Sequence, residues 1–352
     1  MTRTHAGAGV RRPPPGGAEE IAPGVFWVRL ALPYALDHVN VWLLDEGDGF
    51  TLIDTGHGDE ATRAAWETLS ASLLRGRPIR RVLCTHHHPD HLGLAGWMAA
   101  RWGAELWCTR TEWLEARAQT LRTLAEARAV ARSFYRRAGV PPSLLARLVD
   151  CCRSYPDNVS PVPPSFRRIQ DGDELTAGGA RWRVVVGRGH APEHACLFSP
   201  ERGLLVSGDQ VLPHITPNVS IWPSEPDDEP LGEFLASLEV LRTLPPDALV
   251  LPSHGSPFFG LHRRCEELAS HHQARLDAVL AALDRPRTAF EVTGVLFERA
   301  LDPHQSTFAI GEAIAHLHRL VALGRVWRER RARQPDRYAR VVRDVLPTAA
   351  RG

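Results

Sequence analysis

Residues 85–91 read Thr-His-His-His-Pro-Asp-His, placing four cation-binding side chains, His86, His88, Asp90 and His91, within six residues. The stretch follows a strand-like run, Arg81 to Cys84, and precedes a helix-like run, Leu92 to Arg101. At a strand end alternate residues project to one side, so His86 and His88 can grip the same cation. Beyond the turn, Asp90 and His91 face that pocket from the start of the helix and can hold a second. Imidazole nitrogen with carboxylate oxygen suits zinc best, with iron and manganese as alternatives.

Three later strand-like runs each end on a residue of the same kind. Val186-Gly187-Arg188-Gly189-His190 ends on histidine, Gly203 to Asp209 ends in Gly-Asp, and Ala248 to Gly255 ends in His254-Gly255. An earlier run closes in Asp54-Thr55-Gly56. In these motifs, over roughly residues 21–260, the chain resembles the metallo-β-lactamase superfamily. Its hydrolases carry HxHxDH followed by a lone His, a lone Asp and a lone His. The resemblance implies two divalent metal ions, zinc foremost. His86, His88 and His190 would hold one, Asp90, His91 and His254 the other, with Asp209 bridging. Asp90 and Asp209 are the carboxylates expected in catalysis. Two such ions can share a hydroxide and polarise a scissile carbonyl or phosphoryl oxygen, so no serine nucleophile is needed.

The set resembles the glyoxalase II, lactonase and nuclease branches. Lactam-cleaving members commonly lack the bridging Asp and are exported, so antibiotic hydrolysis is not expected. Glyoxalase II proper needs a lysine and tyrosine pattern that has no match here; the chain contains no lysine. That absence also excludes a lysine nucleophile or Schiff base. An iron persulfide dioxygenase would need only two His and one Asp. A flavodiiron protein would have Glu where His88 stands.

The resemblance implies the elements that must position these residues: an α/β chain with a four-layer αββα metallo-β-lactamase sandwich, to which the sequence adds a helical insertion and a small C-terminal domain that resembles a winged helix. With 352 residues, two domains are the expectation. Residues 1–20 read as a disordered tail, 21–260 as the catalytic domain and 261–345 as the C-terminal domain. Val25 to Leu30, His38 to Leu44 and Phe50 to Asp54 read as strands, and Glu60 to Leu74 as a helix. Asp54 either caps that helix or, as the resemblance implies, supports a metal-bound imidazole. Residues 111–151 form the helical insertion, interrupted at Pro141-Pro142. It is either a buttress on the sandwich or a cap whose Trp113 and Phe134 wall an acyl site. His194 is read as structural or supporting, and His214 as structural. Glu193 stands where the family more often has glycine, which leaves the local loop shape open.

Apolar content of 43%, charged content of 24% and a net charge of +1 suit a globular protein without general attraction to polyanions. Residues 1–20 lack the apolar run of a secretory signal, no stretch is long enough to span a membrane, and the six cysteines have no redox spacing. A cytoplasmic protein with reduced thiols is expected. In the tail, helices over Phe258 to Leu283, Thr288 to Arg299 and Ser306 to Leu323 precede a small hairpin. The would-be recognition helix, with Ala309, Gly311, Glu312, Ala313, His316, His318 and Arg319, is a poor reader of phosphates or bases. The tail is therefore read as a packing module, with a homodimer as one outcome. The expected function is a dinuclear hydrolase of a small thioester or ester substrate with an apolar acyl group. Nucleic acid and membrane are not expected partners; a metal-dependent endoribonuclease is the alternative.

Overall fold

In the computed structural model residues 11–341 are described. Seven strands, β1 (Gly17–Ala22), β2 (Val25–Ala31), β3 (His38–Asp45), β4 (Phe50–Ile53), β5 (Ile79–Leu83), β6 (Glu105–Cys108) and β7 (Arg167–Arg168), form one sheet in sequence order. The second sheet comprises β8 (Glu174–Ala177), β9 (Ala180–Gly187), β10 (His194–Ser199), β11 (Leu204–Gly208) and β12 (Leu249–Pro252), ordered β12-β11-β10-β9-β8. Alternation along β3 explains the sandwich. Trp42 and Leu44 point into a core shared with Trp182, Val184, Leu197 and Val206 of the second sheet. Val39, Val41 and Leu43 point the other way. There they meet Trp66 and Leu69 of α1 (Glu60–Ser72) and Met98 of a later helix. Each such fully buried apolar side chain contributes about 1.5–3 kcal/mol.

The helix expected over 92–101 is two helices, α2 (Pro89–Leu92) and α3 (Ala95–Trp102). Between them Gly93 O accepts both the N–H and the hydroxyl of Ser160, and Leu94 N–H bonds Thr55 Oγ1, so neighbouring loops take backbone groups from the helix ladder. The insertion forms α4 (Arg110–Leu121), α5 (Leu124–Arg137) and α6 (Pro142–Asp150). Then follow α7 (Pro230–Leu241), α8 (Leu261–Ala282), α9 (Ala289–Leu296), α10 (Pro303–Ala322) and the antiparallel hairpin of β13 (Val326–Glu329) and β14 (Arg337–Arg340). Among the described residues no helix is long and apolar enough to cross a membrane.

Two expectations are corrected. The tail does not run disordered through residue 20, because Gly17–Ala22 pairs with β2 and Ala18 packs on the core. Backbone pairing needs no apolar run, so composition did not reveal it; residues 1–10 lie outside the described part. Nor do the compact units follow the expected boundaries. Among the described residues one comprises 11–127, Arg153–Val219 and Gly232–Ala269; the other comprises Arg128–Cys152, Ser220–Leu231 and 270–341. The second half of the insertion belongs with the C-terminal segment for a local reason. Phe290 N–H bonds Ala138 O, Asp336 N–H bonds Arg137 O, and the Arg137 guanidinium pairs with the buried Asp336 carboxylate at 2.9 Å.

Candidate metal centre

All seven expected residues lie in the first unit: Asp90 and His91 in α2, the other five in loops that follow its strands. Thr85 follows β5, and its backbone N–H and hydroxyl both bond Asp54, at 2.7 and 2.8 Å. Asp54 sits in the left-handed region with φ 60°, a conformation that costs energy for a non-glycine residue. These bonds and the one to His91 hold it there. Asp54 does not cap α1; Asp59 does, accepting Thr62 N–H. Asp209 follows Gly208, which has φ 53° and no room for a Cβ, since His194 would lie 2.4 Å away.

The ring and carboxylate atoms converge. His86 Nε2 is 2.9 Å from His88 Nδ1 and 3.3 Å from His190 Nε2. Asp90 Oδ2 is 3.6 Å from both His91 Nε2 and His254 Nε2. Asp209 lies between the two sets: its Oδ2 is 3.4 Å from His190 and 3.5 Å from His91, and its Oδ1 is 3.3 Å from His254. Three groups, His86–His88–His190, His86–His91–Asp209 and Asp90–His91–His254, each keep their donor atoms within 4.8 Å of one another.

The opposite ring nitrogens are anchored. His190 Nδ1 donates to Asn218 O at 2.9 Å, and His254 Nδ1 to His38 O at 2.7 Å. His91 Nδ1 donates to Asp54 Oδ2 at 2.9 Å. Thr85 gives its own hydroxyl proton to Asp54, so its oxygen accepts from His86 Nδ1 at 3.0 Å. Each anchor fixes the tautomer that turns an Nε2 lone pair inward, the arrangement metal-bound imidazoles require. The buried His91 Nε2 and Asp209 Oδ1 have no hydrogen-bond partner. Orphaned buried polar atoms are costly, so the donor set fits divalent transition-metal ions better than an empty polar core.

The electrostatics divide these donors. Burial, then the neighbouring imidazoles, hold His86 and His88 well below the usual histidine range, which keeps them neutral. Burial disfavours charge on His91, yet Asp90, Asp209 and Asp54 raise it well above. Burial likewise opposes ionisation of Asp209, but His254 and His91 hold its carboxyl well below the carboxylate range.

Residues 34–254 match the family profile described as the metallo-beta-lactamase superfamily, more than half of the chain. The chain belongs to the metallo-β-lactamase superfamily. Residues 276–341 match the metallo-beta-lactamase-like C-terminal domain. A solved beta-lactamase domain protein from Burkholderia ambifaria is 42% identical with a TM-score of 0.87, over 94% of this chain and 96% of that one. A metallo-beta-lactamase family protein from Thermus thermophilus is 34% identical with a TM-score of 0.76, over 92% of this chain and 100% of that one. A probable metallo-hydrolase from Bacillus subtilis is 28% identical over 85% of this chain and 92% of its own length. An atrochrysone carboxyl ACP thioesterase from Aspergillus fumigatus is 28% identical over 70% of this chain, which spans 60% of that relative. The chain is thus a metallo-hydrolase of this superfamily.

Other histidines separate by role. His194 Nε2 accepts the backbone N–H of Asp209 at 3.0 Å and so fixes that carboxylate, with its own ring held down to about 4 by burial. His214 is exposed. His87 meets Glu112 and lies edge-on to His88, with ring centroids 4.9 Å apart. Sequence reasoning missed Glu112, the His38 carbonyl and the Tyr34–His57–Asp59 chain, linked at 2.9 Å at each step. A motif of side-chain types carries no signal for a carbonyl partner or for a glutamate on a distant helix.

Proposed function

We propose that this metallo-hydrolase cleaves a thioester or ester with an apolar acyl group, using two metal ions, zinc foremost. His86, His88 and His190 would hold one ion and Asp90, His91 and His254 the other, with Asp209 shared. The observation that carries the dinuclear reading is Asp209, whose two oxygens face His190 and His91 on one side and His254 on the other. When bound, such ions activate water at neutral pH and polarise an acyl carbonyl. The chain's own part is to orient the donors through the four rear anchors and to hold Asp209 by its N–H on His194. In this reading Asp90, less buried than Asp209, would take the proton released by water, which its greater exposure supports.

The thioesterase relative supports the acyl reading. Charge supports it against the endoribonuclease alternative, because a nuclease needs free cations along its approach. In α10 the side chains of Ala309, Ala313, His316 and His318 are buried. Arg328 and Arg330 pair with Asp227 and Asp336, and Arg331 with Glu329. We read the tail, three helices and a hairpin, as a winged-helix-like packing module. The test is thiol release from acyl thioesters and cleavage of single-stranded RNA on one zinc-reconstituted preparation, with His88→Ala as control. Thioester cleavage lost on chelation and in the variant is expected. RNA cleavage lost in that variant, with inert esters and thioesters, would reverse the order of the two readings.

A further inference from the structure

Glu112 lies in the first turn of α4, far in sequence from any metal-site residue, yet its side chain is fully buried. Its Oε2 accepts the backbone N–H of His87 at 2.9 Å and faces the ring Nδ1 of His87 at 2.5 Å. Its Oε1 accepts the backbone N–H of Glu193 at 2.7 Å. His87 stands between His86 and His88, and Glu193 stands three residues beyond His190. One carboxylate therefore joins the two loops that supply the His86–His88–His190 group.

The clasp is reciprocal. Glu193 O accepts the Thr109 hydroxyl at 2.8 Å, and Glu193 Oε2 accepts Thr111 N–H at 3.0 Å. The first turn of α4 and the loop after His190 thus exchange hydrogen bonds in both directions. On the other side of His87, its carbonyl accepts the buried Tyr155 hydroxyl. The residue between two candidate ligands is fixed at its N–H, its C=O and its ring. The Asp90–His91–His254 group takes its rear anchors from Asp54, which also reaches His86 through Thr85, and from the His38 carbonyl.

We propose that Glu112 is a positioning residue for the His86–His88–His190 group alone, setting the spacing between its two loops. The inference rests on the metal-site reading above. Only a carboxylate presents acceptors at both ends, and both ends here face backbone N–H donors. An amide at this position must aim its NH2 at one of them, so Glu112→Gln preserves shape while breaking one arm of the clasp.

The experiment titrates metal-free protein with Co(II), read by its visible absorption bands, in backgrounds that keep one group each. In His254→Ala, where the His86–His88–His190 group is left, Glu112→Gln is expected to weaken the remaining site about 10–100-fold. In His190→Ala it is expected to leave the remaining site unchanged. Circular dichroism of the metal-free forms reports folding. If Glu112→Gln does not fold, Tyr155→Phe is expected to give the same one-sided loss to a smaller degree. Equal weakening in both backgrounds, or none in either, while the parent protein binds two ions, overturns the inference and leaves the metal reading intact. A parent protein that binds no cobalt removes both.

Discussion

The first unit and the second each bury a cluster of histidines, and the two clusters use the same side chain in opposite ways. Around Asp209 the rear nitrogens of His86, His91, His190 and His254 are anchored outward and the front nitrogens converge with carboxylates. In the second unit His316 Nδ1 donates to Glu312 O at 2.8 Å and its Nε2 meets His272 Nδ1 at 3.2 Å. His318 Nδ1 donates to Asp228 O at 2.8 Å, and its Nε2 meets the Tyr338 hydroxyl at 3.3 Å. These rings are linked head to tail into the protein's own groups. Among the described residues none of them belongs to a cluster with metal-binding geometry. Buried imidazoles alone do not mark a metal centre; lone pairs aimed at a common point do.

The largest expected effect breaks the first cluster at its shared member. Asp209→Ala is expected to lower kcat/KM by more than about 100-fold and to reduce bound metal by elemental analysis, since it removes a proposed ligand whereas removal of supporting partners typically costs 10–100-fold. His316→Gln is expected to leave metal content unchanged. An Asp209→Ala protein that keeps a tightly held ion and most of its activity would erase the distinction between the clusters.

Next in size is Asp54→Asn. It preserves volume but weakens the hydrogen bond that sets the His91 tautomer. Metal affinity of the Asp90–His91–His254 group is expected to fall about 10–100-fold, measured by competition with a chromogenic chelator. Unchanged affinity would mean that the rear anchor is packing without consequence for the front nitrogen.

Much of this centre was legible because its chemistry is local: HxHxDH and three strand-end residues carry the candidate donors in their own side chains. The early strands were legible in the apolar runs over β2 to β4, and the sandwich through the motifs that resemble the family. What escaped was non-local. Nothing in His38 marks its carbonyl as the partner of His254, 216 residues away. Glu112 reads as a solvated charge on a helix until the fold brings His87 and Glu193 onto it. The departure from glycine at Glu193, which had left the loop shape open, has its explanation in the side-chain bond from Thr111 N–H. The split of the insertion was hidden because amphipathic helices show that a face is buried and not against what.

A third prediction uses acidity. Burial first, then His316, His271 and Arg275, push His272 down to about 3. Burial also pushes His316 down to about 4, against the Glu312 carbonyl's opposing pull. Both folded values lie below the unfolded value near 6.5, so the unfolded chain binds more protons between them. The stability these rings contribute is complete above about pH 6.5 and is lost as pH falls toward 4. His316→Gln has no such proton to bind, so its stability deficit relative to the parent is expected to narrow on acidification. The slope is about 1 kcal/mol per pH unit, read from denaturant midpoints at pH 7, 6 and 5. A deficit independent of pH would show that His316 is not held neutral by burial.

The smallest expected effect concerns the aromatics of the insertion, where the two units again differ. Phe134, in the second unit, lines a cavity of about 250 Å³ with Val130, Ala138, Ile314 and Tyr338. Trp113, in the first, stacks on Phe166 with ring centroids 4.6 Å apart and donates its indole N–H to Pro163 O at 3.0 Å. Its ring is partly buried and packs against the core, which supports the buttress over the acyl wall. Trp113→Leu is expected to lower stability by about 1–3 kcal/mol through lost packing. The ratio of KM for long-chain to acetyl thioesters should shift by less than about threefold, since a true acyl contact would carry about 1–3 kcal/mol of discrimination. Steady-state kinetics on a chain-length series decides it. A selective rise in KM for long chains, with stability intact, would return Trp113 to the wall of the substrate site.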